Sequence, residues 1–463
     1  MSAEQAFSIR RNIFLTKAEK HYEKMTQTPV SRLIMSLGIP TTVSMLITNI
    51  YNLADTYFVG TLGESQQAAT GILFTLQAII QAIAFMFGHG SGTYVSKFLA
   101  DKNTDEASKY VSTAFFSGAF LGTLLTIFGL IFIEPFMNLL GSTPTILPYA
   151  KDYGMWVLLS CPFMVCSLVL NNNLRYEGKA FYAMIGLTIG GFINILGDYI
   201  LIMQVGLGVY GAGLSTAISQ AISFTILLIL YMRYAQSTIS IKSVSRKINI
   251  YFNIIRCGFP SLIRQGLTSI SNGLLNNLTK PFGDAAIAAM SVVNRFSSFV
   301  MCIGLGIGQG FQPVCAFNYE AKKYKRVKKG LLFTTIFGLC VVGIISVLGF
   351  VFADSIIYIF QKSEKVIEVG TVALRFACVG LLFLPLSVPV NMLYQSIQQA
   401  EMASLLSTLR SGAILIPALF IGSHFFGLTG IQAAQPFADV LTGIICIPFM
   451  IYFIKNDHKD SPE

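Results

Sequence analysis

The chain has 463 residues, 54% of them hydrophobic and 12% charged, with a net charge of +10 and mean hydropathy +0.65. An ordinary soluble domain carries about 25% charged residues, so a soluble fold is excluded and a bilayer stands in for water around the surface. The surplus Lys and Arg lie in short stretches between apolar segments, where they orient a membrane protein, and this removes the argument for nucleic acid.

Residues 1–32 are polar, carry Arg10, Arg11, Lys17, Lys20 and Lys24, and have no apolar core. They read as a cytoplasmic arm and not as a cleavable signal. About twenty apolar residues cross the hydrocarbon core as a helix. That ruler places twelve spans at 33–59, 67–94, 111–133, 149–170, 180–203, 208–232, 258–279, 284–310, 331–352, 368–392, 404–422 and 427–454. Helix is the expected state, because a backbone in lipid must satisfy its own polar groups or close a barrel. The segments are too long and too uniformly apolar for barrel strands.

With the N-terminus inside, twenty-four Lys and Arg fall in inner segments, and only Lys151, Lys280, Lys362 and Lys365 fall outside. Both termini are therefore expected in the cytoplasm of a cell with this protein in its inner or plasma membrane. The eight cysteines form no CxxC pair and no Cys/His cluster, so free thiols and no zinc are expected.

The chain repeats itself. Shifted by 220 residues, Gly38–Gly90 lies over Gly258–Gly310 without a gap, with 11 of 53 positions identical, among them Gly38/Gly258, Pro40/Pro260, Asn52/Asn272, Gly88/Gly308 and Gly90/Gly310. Six spans per half give the repeats the same orientation, and parallel repeats build transporters with a site between two lobes. The expected organisation is an all-α membrane protein of two pseudo-symmetric six-helix bundles: an N-lobe at 33–232, a C-lobe at 258–454 and a tail at 455–463. Residues 233–257 would be a cytoplasmic linker, with Ile248, Tyr251, Phe252 and Ile255 on one face of a surface helix.

Charges inside spans are costly and mark function. The acids well inside the spans are Asp55, Asp198 and Asp439. Asp55, Asp198 and Thr216 sit at similar depth in the outer part of the N-lobe, and Asn194 lies one turn before Asp198 on the same face. Two carboxylates, an amide oxygen and a hydroxyl can take up a proton or a hard cation such as sodium. The alternative is that they satisfy one another in helix packing. Asp439 with Gln435 is a second polar site, structural or ionic. Glu177 and Glu401 are expected to be solvated in inner loops. Arg264 and Arg410 are expected to snorkel, Arg295 and Arg375 to face protein, and His89 to be a packed polar residue. No phosphate loop, HExxH or nucleophile elbow is present, so no ATP-driven pump and no cofactor are expected beyond a coupling ion.

Three stretches carry a resemblance: IYNLADTYFVG at 50–60, Asn194–Asp198 with Tyr199–Ile202, and GQGFQP at 308–313 running into Phe317-Asn318-Tyr319. In this order the chain resembles the multidrug and toxic compound extrusion (MATE) family of the multidrug/oligosaccharidyl-lipid/polysaccharide exporter superfamily, from about residue 30 to 455. The resemblance implies a V-shaped pair of bundles and sodium- or proton-coupled export of small organic, often cationic or aromatic, compounds. It also implies a first-lobe cation site matching Asp55, Asn194, Asp198 and Thr216. The pattern departs where some relatives place acids in spans seven and ten: span seven here offers Arg264, Gln265 and Ser269, and span ten has only Glu368 at its edge. Glu320 stands where the family often has Gly.

A lipid-linked oligosaccharide flippase of the same superfamily is the sister reading. It would want several basic residues on the cavity wall, and the first-lobe spans as drawn hold none. A membrane-embedded enzyme would want a catalytic constellation at one depth, which the four histidines do not supply. The chain is expected to act as a monomer, with the bilayer and small organic molecules as partners.

Overall fold

The structure is a computed structural model that describes residues 16–360 and 362–455. The elements are helices: α1 (Lys17–Gln27), α2 (Val30–Gly60), α3 (Glu64–Ala100), α4 (Thr104–Ile131), short α5 (Ile133–Leu139), α6 (Leu147–Tyr176), α7 (Ala180–Asp198), α8 (Gly208–Tyr234), α9 (Ile248–Thr279), α10 (Asp284–Glu320), α11 (Tyr324–Val351), short α12 (Ala353–Phe360), α13 (Glu364–Leu381), α14 (Leu384–Ser396), α15 (Ala400–Thr408) and α16 (Leu415–Lys455). A π-helical turn, Tyr199–Gln204, extends α7, and another, Leu409–Ala413, joins α15 to α16.

Among the described residues nine helical stretches are long and apolar enough to cross a membrane, and the pair α13–α14, bent by 45°, makes a tenth. One of the nine, Ala400–Lys455, is two spans. Gly427 has φ 58° and ψ −133° in its middle, and a Cβ on Gly430 would lie 2.0 Å from the carbonyl oxygen of Gly422. Eight residues of straight helix would separate those glycines by about 12 Å, so the chain turns back there. The twelfth span is α9, which Arg264, Gln265 and a series of Asn and Ser make too polar to count on composition alone.

The helices outrun the apolar segments at the end where the chain termini lie. The span expected at 149–170 is a helix to Tyr176, that at 67–94 begins at Glu64 and ends at Ala100, and that at 284–310 ends at Glu320. The extra turns pack against protein, where polar residues cost no exposure to lipid. The expected surface helix in 233–257 is also different: Ile248 begins α9, which runs unbroken to Thr279, and the connection from α8 is the segment 235–247 with one 3₁₀ turn.

The repeat extends well past the region of sequence identity. Positive φ recurs at Lys102 (57°) and Lys322 (55°), at Gly178 (70°) and Gln398 (65°), and at Gly63 and Gly283. Asn171 Nδ2 donates to the Ala183 carbonyl at 2.9 Å, and Asn391, 220 residues on, donates to Ala403 at 2.7 Å.

The two halves meet along α3 with α9 and α2 with α10. Contact is tightest toward the termini. A Cβ on Gly258 would fall 1.8 Å from the Met86 carbonyl oxygen, one on Gly90 2.0 Å from that of Ile254, and one on Gly310 2.5 Å from the Gly38 nitrogen. Only glycine allows backbones this near. Farther along the same helices, Gly71, Gly266 and Gly273 have no neighbour within 4 Å of such a Cβ. The halves thus form a V, closed on the terminal side and open on the other. Phe120, Phe128, Ile344, Val347, Phe420 and Ile421 are exposed on the outside, as a lipid-facing surface requires.

Helix α1 straps the closed end. Thr16 and Glu19 form a capping box at its start. Lys24 Nζ donates to the Gly178 carbonyl at 3.3 Å, while Asn318 Nδ2 (3.1 Å) and Arg326 Nη2 (3.2 Å) donate to the Met25 carbonyl. His21 is buried with its ring edge-on to Phe317 at 5.2 Å. Burial, with Lys179 and Lys24 nearby, pushes its pKa down to about 3. A free histidine titrates near 6.5, so docking favours the neutral ring. The strap should be held fully above pH 6.5 and weaken by about 1.4 kcal/mol per pH unit below it. The protection factors of residues 17–27, taken against the intrinsic exchange rate at each pH, should fall from pH 8 to pH 5.5 in wild type and stay flat in His21→Gln. Equal protection of the wild type at both pH values would refute this coupling.

Candidate cation pocket and central cavity

Asp55 on α2, Asn194 and Asp198 on α7, and Thr216 on α8 are all buried. They lie in one place because α7 packs against both α2 and α8. Small residues permit this: a Cβ on Gly191 would press on Ile47 and Tyr51, and one on Gly197 on Ser215. Asn194 Nδ2 donates to Thr216 Oγ1 at 3.3 Å and Ser215 Oγ to the Asn194 carbonyl at 2.9 Å. The fifth member is Tyr153 on α6, fully buried, whose hydroxyl donates to Asp55 Oδ2 at 2.9 Å and lies 3.3 Å from Thr216 Oγ1.

Four oxygens of this cluster are buried without a hydrogen-bond donor: Asp55 Oδ1, Asn194 Oδ1 and both Asp198 oxygens. Buried polar atoms are nearly always paired, and an unmet acceptor costs about 1–3 kcal/mol, more when charged. Packing alone therefore does not account for the group. What it lacks is hydrogen-bond donors. The π turn begins at the residue after Asp198, a distortion frequent at functional sites.

Asp439 is different. Arg410 Nε donates to its Oδ1 at 2.8 Å and Gln435 Nε2 to the same atom at 2.9 Å. All three line a C-lobe cavity of about 120 Å³. Arg410 does not snorkel; it is 11% exposed and neutralises the second lobe's only deeply buried carboxylate among the described residues.

Between the lobes lies a cavity of about 290 Å³, reached by Asn49, Asn52, Phe85, Met164, Asn194 and Met301, among others. Its floor is the seam. Arg175, which the expected spans 149–170 and 180–203 leave in an inner connecting segment, is in the last turn of α6, buried, and lines this cavity. Its guanidinium donates to Gln309 Oε1 of α10 and to Asn172 Oδ1, and lies 3.3 Å from His89 Nε2. Because Arg can only donate, His89 Nε2 accepts and Nδ1–H donates to Ser261 Oγ of α9 at 2.7 Å. His89 is thus a packed polar residue bonded across the seam. Glu177 is likewise not solvated: it is fully buried, accepting from Tyr231 Oη at 3.1 Å and from Gln236 N at 2.5 Å. Glu401 is exposed and bonded to Arg256, and Glu320 pairs with Lys97 across the seam at 3.4 Å. Arg295 is exposed, and Arg375 pairs with Asp354 at 3.5 Å.

A family model described as MatE matches residues 40–200 and 260–421. The match covers well over half of the chain, and the chain belongs to the MatE family. It is similar to the multidrug export protein MepA of Staphylococcus saprophyticus, with 27% identity over 91% of this chain and 94% of the relative. MepA of Staphylococcus aureus is also 27% identical, over 94% and 96%. Among solved structures, an outward-facing MATE family multidrug resistance transporter superposes with TM-score 0.87 at 23% identity, covering 95% of this chain and 98% of that one. A MATE protein in complex with MaL6 gives 0.88 at 23% identity, over 95% and 99%. The fold, twelve spanning helices in two bundles, is that of these transporters.

The Arg410–Asp439 pair makes a stability prediction. Removing one partner of a buried pair leaves an uncompensated charge and costs about 3–5 kcal/mol. Arg410→Gln should lower the thermal midpoint of the purified protein, and adding Asp439→Asn should restore most of the loss. An additive double variant would show that the two side chains do not stabilise one another.

Proposed function

We propose that this protein is a secondary antiporter that exports small organic compounds in exchange for a proton or a sodium ion. Asp55 and Asp198 are the coupling carboxylates, Asn194 and Thr216 supporting ligands, and Tyr153 holds Asp55 in place. The observation that carries this reading is the set of four buried oxygens without donors beside a cavity between two lobes. Two carboxylates in low dielectric repel unless a proton or a cation joins them, and their titration belongs to the pair. Occupancy changes the charge inside the N-lobe and biases it between two packings, so that an ion acts on a substrate it does not touch. The MepA relatives, named as multidrug exporters, support the export direction. Asp439 and Gln435 are assigned no ion, since Arg410 already meets that charge.

The two lobes, 33–232 and 258–454, rock about the seam as a monomer, and the closed end faces the cytoplasm with both termini. A reporter active only outside the cytoplasm should be silent when fused after Glu463, and a strong signal would invert the topology.

In proteoliposomes, a sodium gradient alone or a proton gradient alone should drive dye export. Asp55→Asn should reduce it to the gradient-free rate with substrate binding retained and thermal stability unchanged or raised, since it removes an unmet buried charge. Asp198→Asn should match it, and the double variant should be little worse than either. Export by Asp55→Asn at the wild-type rate would place coupling elsewhere.

A further inference from the structure

Among the described residues the central cavity has one charged residue on its wall, and it is a cation: no Asp or Glu among them lines the cavity, and Arg175 does. The partners that its guanidinium finds, Gln309, Asn172 and His89, are neutral. Its Nε is buried with no acceptor at all. The buried acids of the first lobe do not reach this wall: Asp55 and Asp198 lie in the pocket behind Asn194 and do not line the cavity, and Glu177 is held by Tyr231, Gln236 and Ser237. Asp439 is spent on Arg410. Arg264 of α9 does not line this cavity; it shares a separate small one with Arg410. A buried cation without a carboxylate is expensive, and a guanidinium presents a planar fork that matches an oxyanion.

We propose that the floor of the central cavity is an anion subsite, with Arg175 receiving a carboxylate, sulfonate or phosphate group of the transported compound. The rest of that compound lies against Phe85, Met164 and Met301 in the mouth above. The subsite rests on the antiport reading for its role in transport, not for its existence. It reverses the charge of the cationic cargo that family resemblance alone implies. It also ties cargo to lobe motion. Gln309 belongs to the second lobe, so an oxyanion that takes the guanidinium from it replaces a bond across the seam with a bond to cargo. The same chemistry could be offered by a soluble organic acid or by a phospholipid headgroup.

The test uses the full-length protein in nanodiscs and a matched pair of probes, 1-naphthoate and 1-naphthylmethylammonium, which share a ring system and differ in charge. Calorimetry should show the naphthoate binding at least about tenfold more tightly, the order expected of a hydrogen-bonded charge pair. Arg175→Gln should remove that preference, weakening the naphthoate by about tenfold or more and leaving the ammonium probe unchanged or tighter. Arg175→Lys should retain part of it, and the wild-type comparison stands even if Arg175→Gln does not fold. Phosphatidylglycerol in the nanodisc that competes with naphthoate only when Arg175 is present would identify a lipid headgroup as the source; absence of competition points to a soluble acid. Ammonium binding as tight as naphthoate, or an equal loss of both in Arg175→Gln, overturns the proposal. Gradient-driven export that depends on Asp55 while the probes show no charge preference would reject the subsite alone. Charge-selective binding without any Asp55-dependent transport would reject the antiport alone.

Discussion

Everything in this molecule hangs on the contact between two pairs of backbones. At Gly38 with Gly310 and at Gly90 with Gly258, helices from opposite halves approach until no side chain fits between them. Without a hydrophobic drive between helices in lipid, such close approach, with the dispersion and polar contacts it permits, is what holds bundles together. Because glycines meet glycines across the seam only toward the terminal ends, the same helices diverge beyond them, where Gly71, Gly266 and Gly273 face no neighbour, and the divergence is the cavity. The repeat explains the geometry: each contact is the image of the other after a shift of 220 residues, so the seam closes about a local twofold axis. The strap α1, packed on Gly178 of one half and on Phe317 and Asn318 of the other, has no counterpart in the repeat.

The halves share a backbone but divide their charges. Shifted by 220, Asp55 falls on Leu275 and Asp198 on Ala418; the second lobe has no copy of the carboxylate pair. In that lobe the buried acid is Asp439, and it comes with Arg410, whose image in the first lobe is Gly190, packed against Ser223. One lobe therefore keeps its negative charge unmet and the other keeps it neutralised. An ion bound there, as proposed, would change the charge of one half only, and a differential interaction of that kind is what can bias a molecule between two packings.

The sequence made the spans, the repeat and the clustering of four first-lobe polar residues visible, because each is written in a strong local signal: apolar length, Gly and Pro at fixed spacing, and acids where lipid forbids them. It hid what depends on polar residues packed in protein. The run Asn171-Asn172-Asn173-Leu174-Arg175 reads as a loop by hydropathy and is a buried helix end, because its amides bond to Ala183, Leu168 and Ser91 instead of water. The same error kept Arg175 off the cavity wall and took Glu177 for a solvated acid. Tyr153 was hidden differently. A tyrosine near the outer end of a span looks like an interfacial anchor, and only the packing of α6 against α8 turns its hydroxyl toward Asp55.

These corrections bear on what such a cavity can carry. The reason to set a flippase apart from an exporter of small molecules was the absence of several basic residues on the cavity wall, and Arg175 weakens that reason by supplying one. Cavity size then becomes the better discriminator. About 290 Å³ between the lobes suits a compound of one or two fused rings, while a lipid-linked sugar chain would have to reach through the open mouth of the V. The wall around Arg175 is mixed, with amides from Asn52, Asn171 and Gln81 beside Phe85 and Met164. Amides pair with donors and acceptors alike, and methionine adapts to irregular shapes. Such a wall discriminates poorly among uncharged parts of a ligand, which leaves charge at the floor as the feature most able to select.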